Sequence, residues 1–122
     1  MSSKPVRIPG PDHPITIEPT STHVVVRLGD LIVADSRNAL TLREAAYPPV
    51  QYIPRADVDM SLLEASAHQT YCPYKGDASY LSVRGDELHA NSIWSYERPY
   101  DAVAEIAGHL AFYPDRFTIA ID

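Results

Sequence analysis

A mainly β domain, α+β by count, closed by one C-terminal amphipathic helix is the fold class this 122-residue sequence predicts. Three observations carry that expectation. Two β-branched runs, THVVVRL and LIVAD, flank Gly29-Asp30; a second pair of alternating runs flanks Gly85-Asp86-Glu87; and Val103, Ile106, Ala107, Leu110 and Ala111 recur at helical spacing. The length fits one domain.

Four of the 11 prolines, Pro5, Pro9, Pro11 and Pro14, fall in the first 14 residues, and each favours extended backbone at its own and the preceding position. Residues 1–14 therefore read as an extended arm and 15–122 as the domain. Gly29-Asp30 is a Gly-first two-residue loop, the type II′ pattern that closes a tight hairpin. In ALTLRE, Leu40 and Leu42 alternate with Thr41 and Arg43, which predicts a half-buried strand broken by Pro48 and Pro49. VQYI reads as a short strand ending at Pro54. Met60, Leu62 and Leu63 fit either one helical turn or a loop. SYLSVR and LHANSIWSY predict a hairpin with Tyr80, Leu81 and Val83 facing Leu88, Ile93 and Trp94. The apolar stripe from Val103 to Ala111 predicts the helix, with Asp101 and Glu105 in its first turn and Pro114 beyond its end. Phe117 to Ile121 is the closing strand.

Composition narrows the function. The 10 Lys and Arg against 16 Asp and Glu give a formal charge of −6, which opposes the cationic surface that nucleic acid requires, so no nucleic-acid partner is expected. The apolar runs are far short of the roughly 20 residues that span a bilayer, and no apolar leader opens the chain. A cytoplasmic protein without membrane contact is the expectation, and the single cysteine, Cys72, suits a reducing compartment. Dimerisation through an exposed strand edge is compatible with this pattern, though no residue specifies it.

The chemistry concentrates in Tyr71-Cys72-Pro73-Tyr74-Lys75-Gly76-Asp77. A lysine three residues from a cysteine stabilises a thiolate where the two meet in space, and the thiolate is the nucleophile. Free cysteine is equally a residue of cores. His68 lies four residues upstream as a candidate base. His68-x3-Cys72, His89, His109 and Asp57-x-Asp59 form no recognised ligand pattern, so neither a metal nor another cofactor is expected. The five glycines make no phosphate-binding loop, and no G-x-S-x-G elbow occurs. Eight Tyr and one Trp against two Phe give most aromatic rings a polar tip, which suits either a ligand pocket or a core with internally satisfied hydroxyls.

The strings Tyr52-Ile53-Pro54-Arg55-Ala56-Asp57-Val58, Cys72-Pro73-Tyr74-Lys75-Gly76 with Ala78 and Tyr80, Trp94-Ser95-Tyr96 with Pro99, and Ala111-Phe112-Tyr113-Pro114 resemble the family called domain of unknown function 427. Ala34-Asp35-Ser36 and Glu44 also fit, and the likeness runs from about Val24 to about Phe117. The resemblance implies coiled antiparallel sheets similar to the β-tent architecture and a family without an established activity. It is sometimes labelled a nucleotidyltransferase domain, yet this sequence lacks the Gly-Ser motif before spaced carboxylates that such enzymes use. Carried over, the family pattern picks out Tyr52, Asp57, Cys72, Lys75, Tyr80, Trp94 and Tyr96.

Three readings follow. In the first, an enzyme acts on a small molecule with Cys72 as nucleophile or acid, Lys75 and Arg55 holding an oxygen, and Asp57 orienting one of them. In the second, Tyr52, Tyr80, Trp94 and Tyr96 line a non-catalytic pocket with Lys75 as counter-charge. In the third, these residues are a structural staple with Asp57 paired to Lys75. A small-molecule site is the expectation carried forward, with its ligand unnamed.

Overall fold

In the computed structural model, which describes residues 4–122, ten strands form three antiparallel sheets. The strands are β1 Ile15–Pro19, β2 Val24–Leu28, β3 Leu31–Ser36, β4 Leu40–Glu44, β5 Val50–Tyr52, β6 Leu63–Cys72, β7 Gly76–Val83, β8 Ile93–Ser95, β9 Leu110–Phe112 and β10 Thr118–Ile121. Their orders are β1-β4-β5, β10-β2-β3 and β6-β7-β8-β9. Among the described residues no helix is long and apolar enough to cross a membrane.

The β2–β3 hairpin forms where the β-branched runs demand it, with Leu28 opposite Leu31 across the two-residue loop. Gly29 takes φ 61 while Asp30 keeps a negative φ, so only the glycine carries the left-handed conformation. β10 closes the other edge of β2, pairing Ile119 with Val26.

Strands β7, β8 and β9 of the four-stranded sheet are buried on both faces, and their alternation sorts residues into two cores. Leu81, Val83, Ile93, Leu110 and Phe112 join Val24, Val26, Val33 and Ile53 in one cluster. Ala78, Tyr80 and Ala111 face the other way and meet Leu42, Tyr52, Tyr96, Val103 and Ile106. Ile53 and Leu110 exchange both backbone hydrogen bonds at 2.8 Å, which stitches the end of β5 to β9. Tyr52 and Ile53 thus enter opposite cores from adjacent positions.

The expected C-terminal helix is not there. Asp101–Ile106 is a short 3-10 segment kinked at Val103 (φ −128°, ψ 27°), Ala107 leaves the helical region, Gly108 turns at φ 72, and Leu110–Phe112 is strand β9. The apolar stripe arises from two unrelated burials. Val103 and Ile106 fill the second core at 3-10 spacing, whereas Leu110, Ala111 and Phe112 are buried on alternate faces of a strand, and Ala107 is exposed. The hairpin expected at Gly85 is also looser than predicted. Leu81 does oppose Ile93 and Tyr80 opposes Trp94, but Leu88 sits 75% exposed on a 3-10 turn, Glu87–His89, in the longer connection.

Met60–Leu62 is a 3-10 turn capped by the Asp59 side chain, and it leads into the ten-residue β6. β6 is mostly exposed and carries a bulge between Ala65 and Gln69. Its hairpin with β7 places Cys72 opposite Gly76, so the Cys-Pro-Tyr-Lys-Gly string is the connecting turn. Gly76 has φ 108, and a Cβ there would lie 3.5 Å from the Arg98 carbonyl oxygen. Replacing Gly76 with Ala is expected to destabilise the domain by about 1–3 kcal/mol, because the backbone there is strained for any L side chain. A urea midpoint lowered at unchanged slope is the expected readout; an unaltered midpoint would contradict the assignment of strain.

Candidate functional site

At the β6–β7 turn the chain buries a cation. Lys75 is 7% exposed, and its side chain lies between the turn and the sheet containing β4. Its Nζ donates to Glu44 Oε1, across 31 residues of sequence. The other Glu44 oxygen lies 2.7 Å from His13 Nε2. Burial pulls the Glu44 carboxyl upward, but the bonds from Lys75 and His13 outweigh it and hold it below its ordinary value. The carboxylate is therefore ionised at neutral pH, and its bond to His13 requires the imidazole Nε2–H as donor.

Both ends of this relay are held from outside. The His13 ring stacks on Tyr74 with centroids 4.0 Å apart and planes 4° from parallel. Immediately after Glu44, Ala45 adopts φ 46, and its N–H donates to the Pro14 carbonyl at 2.8 Å. The proline-rich stretch is tied down again where Arg7 N–H reaches the Pro73 carbonyl at 2.9 Å. The N-terminal segment thus braces the turn that carries Lys75.

Lys75 and Glu44 form one wall of a cavity of about 210 Å³. Tyr52, Tyr80, Trp94, Tyr96 and Tyr113 supply its aromatic walls. Three of these rings are fixed by polar bonds or edge contacts. Trp94 Nε1–H donates to the Tyr52 hydroxyl at 3.2 Å, the Tyr80 hydroxyl is tied to that of Thr70 at 2.9 Å, and the two rings of Tyr52 and Trp94 meet edge-on. Burial raises the ionisation of Tyr52 and Tyr96 well above the ordinary phenol value, and burial with the adjacent Tyr80 hydroxyl pushes Tyr113 up to about 12. All three rings present neutral hydroxyls at physiological pH. Tyr96 differs from Tyr52 and Tyr80 because its hydroxyl has no side-chain hydrogen bond among the described residues, although the residue is only 6% exposed. The Lys75 Nζ stands 5.8 Å from the centre of the Tyr96 ring.

Five residues singled out from the sequence, Tyr52, Lys75, Tyr80, Trp94 and Tyr96, therefore share one cavity. Cys72, Asp57 and Arg55 do not line it. Cys72 is half-buried and packs against the cluster that holds Tyr52 and Tyr96, without itself lining the cavity. Asp57 accepts from Ser36 Oγ at 2.7 Å, and Arg55 pairs with Glu97 and donates Nε–H to the Gly108 carbonyl at 3.3 Å. The expected Asp57–Lys75 pair is thus replaced by Glu44–Lys75, because the 3-10 turn at Arg55–Asp57 directs its carboxylate toward β3. Among the described residues, no group of three or more His, Cys, Asp and Glu side chains converges as a metal site.

The sequence did hold a sign of Glu44. It continues the inward phase of Leu40 and Leu42 on β4, and a carboxylate on the apolar phase of a strand calls for a buried partner. His13 and Tyr113 had no comparable local sign.

The chain matches the family described as Domain of unknown function (DUF427) over residues 16–122. It belongs to that family. No curated protein matches it significantly. The match takes in every cavity residue of this DUF427 domain but excludes His13, which reaches the site from the segment before it.

Replacing Glu44 with Gln keeps an acceptor oxygen but removes the counter-charge of buried Lys75, and is expected to cost about 3 kcal/mol at neutral pH, the low end for a broken buried pair. A folded carboxyl held below its unfolded value adds stability that is complete above the ordinary value of 4.5 and is lost as pH falls through the lower folded value. Denaturant titrations from pH 7 downward should therefore show a shallower acid loss in Glu44→Gln than in the wild type. Parallel curves would show that the carboxylate is not held by this relay.

Proposed function

We propose that this DUF427 domain binds a small organic molecule through a neutral, hydrogen-bond-accepting oxygen held by Lys75 and Tyr96. One observation carries the reading: a nine-tenths buried ammonium, with one acceptor at Glu44, stands in the wall of a cavity that also holds Tyr96, whose hydroxyl has no side-chain hydrogen bond among the described residues. An ammonium has three N–H donors, and buried donors left unmatched cost free energy that an incoming acceptor recovers.

Charge selects among acceptors. Glu44 already balances Lys75, so a carboxylate or phosphate entering the cavity would meet an ionised carboxylate with no second strong cation to offset it. A ketone, amide or hydroxyl oxygen brings no net charge for Glu44 to repel and still accepts from these donors. The aromatic rings then supply apolar area around it, held in place by the bonds of Tyr52 and Tyr80. Nucleotidyl transfer draws no support from this arrangement, since the cavity carboxylate already accepts from Lys75 and His13. Catalysis by Cys72 draws none either, because the cysteine is not among the residues that line the cavity. Under this reading the three sheets form the β-tent expected of the family, and the free Cys72 suits a reducing cytoplasm.

The test uses butanamide and 2-butanone against AMP and ATP, read by thermal shift and by the fluorescence of Trp94. The carbonyl compounds should stabilise the protein and the nucleotides should not. Tyr96→Phe removes a hydroxyl without breaking an internal bond, so it should leave the melting temperature intact and weaken carbonyl binding roughly 2- to 10-fold. Stabilisation by nucleotides alone, lost in Lys75→Ala, would replace this reading with the nucleotidyltransferase label.

A further inference from the structure

A second, larger cavity of about 630 Å³ adjoins the first. Glu44, Tyr47, Pro48, Val50 and Trp94 line both, so the two spaces are neighbours that meet at these residues along one groove-like stretch of surface. Their chemistry differs sharply. The smaller end holds Lys75 and four tyrosines besides Tyr47, whereas the larger adds Pro49, Phe112, Pro114, Ile119 and Ile121 with Gln51 as the only further polar side chain. Prolines lack an N–H, so three of them along the groove remove backbone donors that would hold water. Trp94 stands at the junction, bonded to Tyr52 on one side and packed 4.7 Å from Tyr113 on the other.

The larger space lies within the roughly 300–1,000 Å³ of ordinary ligand pockets, and the smaller falls short of it. The polar end alone therefore suits a head group rather than a whole ligand. Tyr47, Tyr113 and Ile121, which are large apolar residues left exposed at 65%, 37% and 52%, all stand on the walls of this groove. Apolar side chains exposed together around a concavity mark a surface that another molecule covers.

We infer that the ligand is elongated and amphipathic: a neutral oxygen-bearing head at Lys75 and Tyr96, and an unbranched or aromatic hydrocarbon body laid past Trp94 into the groove of Val50, Phe112 and Ile121. This rests on the head-group site proposed above and extends it to a ligand class. The body contributes affinity through burial, and the head fixes orientation. Primary fatty amides and long-chain ketones belong to this class, whereas sugars, nucleotides and amino acids do not.

The experiment titrates butanamide, hexanamide and octanamide against Trp94 fluorescence in the wild type, Tyr96→Phe and Ile121→Glu. Ile121 is a half-exposed residue of β10, so a charge there is compatible with folding. In the wild type, affinity should rise about three- to fourfold per methylene, the factor expected for a fully buried CH₂. Ile121→Glu should lose most of that rise, and Tyr96→Phe should weaken every member by a similar factor while keeping the rise. Binding that is sensitive to Tyr96→Phe but flat with chain length would overturn the amphipathic ligand and leave the head-group site standing. A rise with length that Tyr96→Phe does not touch would overturn the head-group site, with the groove acting as a simple apolar surface. Circular dichroism of each variant confirms the fold before either result is read.

Discussion

A buried ammonium needs an anion close at hand, and the way this chain supplies one to Lys75 organises much of the molecule. The lysine sits on the β6–β7 turn of the four-stranded sheet, while its carboxylate ends β4 in a different sheet. Their pairing therefore ties two sheets together at a polar point inside an otherwise apolar cluster. Removing one partner of such a pair strands a charge in low dielectric, which costs about 3–5 kcal/mol, so the contact constrains the relative placement of both sheets. His13 adds a third element by donating to the free carboxylate oxygen, which recruits the segment before β1 to the same point.

The same constraint opens the cavity. Where two sheets meet through a lysine and a glutamate, aliphatic side chains cannot close the gap without stranding polar atoms. Tyrosines resolve the conflict, because each ring adds apolar area and each hydroxyl finds or offers a hydrogen bond. Tyr52 and Tyr80 find theirs within the protein, and the Tyr96 hydroxyl has no side-chain partner among the described residues. The opposite face of the four-stranded sheet has no such burden: Ile93, Leu110 and Phe112 pack there against Val24, Val26 and Val33 as a conventional aliphatic and aromatic core. One sheet thus separates this core from the cluster that borders the smaller cavity, with Phe112 also reaching the larger cavity.

Elements whose signals are local were legible in the sequence. The Gly29-Asp30 hairpin, the alternating β4 and the closing β10 follow directly from turn chemistry and period-2 patterning. β6 escaped because its exposed, polar residues carry no apolar phase; pairing with β7 alone makes it a strand. The false helix shows the converse. A stripe of five residues at helical spacing satisfied the pattern, although Val103 and Ile106 belong to a 3-10 segment and Leu110 and Ala111 to a strand beyond Gly108. Within the site, the aromatic residues and Lys75 were legible because residue type limited their options. Glu44 carried only its place on the apolar phase of β4 and His13 no local sign, since their roles depend on contacts across 31 residues. Asp57 and Arg55 looked equally chemical, yet their local turn commits them to Ser36 and Glu97.

The central claim is that Lys75 is buried against Glu44 and still has donors to give. The ammonium resonance of Lys75 in a ¹H–¹⁵N spectrum, assigned through a Lys75→Met control, addresses it most directly. A buried, bonded ammonium exchanges its protons slowly enough to be seen, and a ligand that accepts from it must move the signal. The account predicts a resolved resonance that disappears in Glu44→Gln and shifts when octanamide is added. A resonance lost to fast exchange in the wild type, or one that stays fixed while octanamide binds, would contradict it.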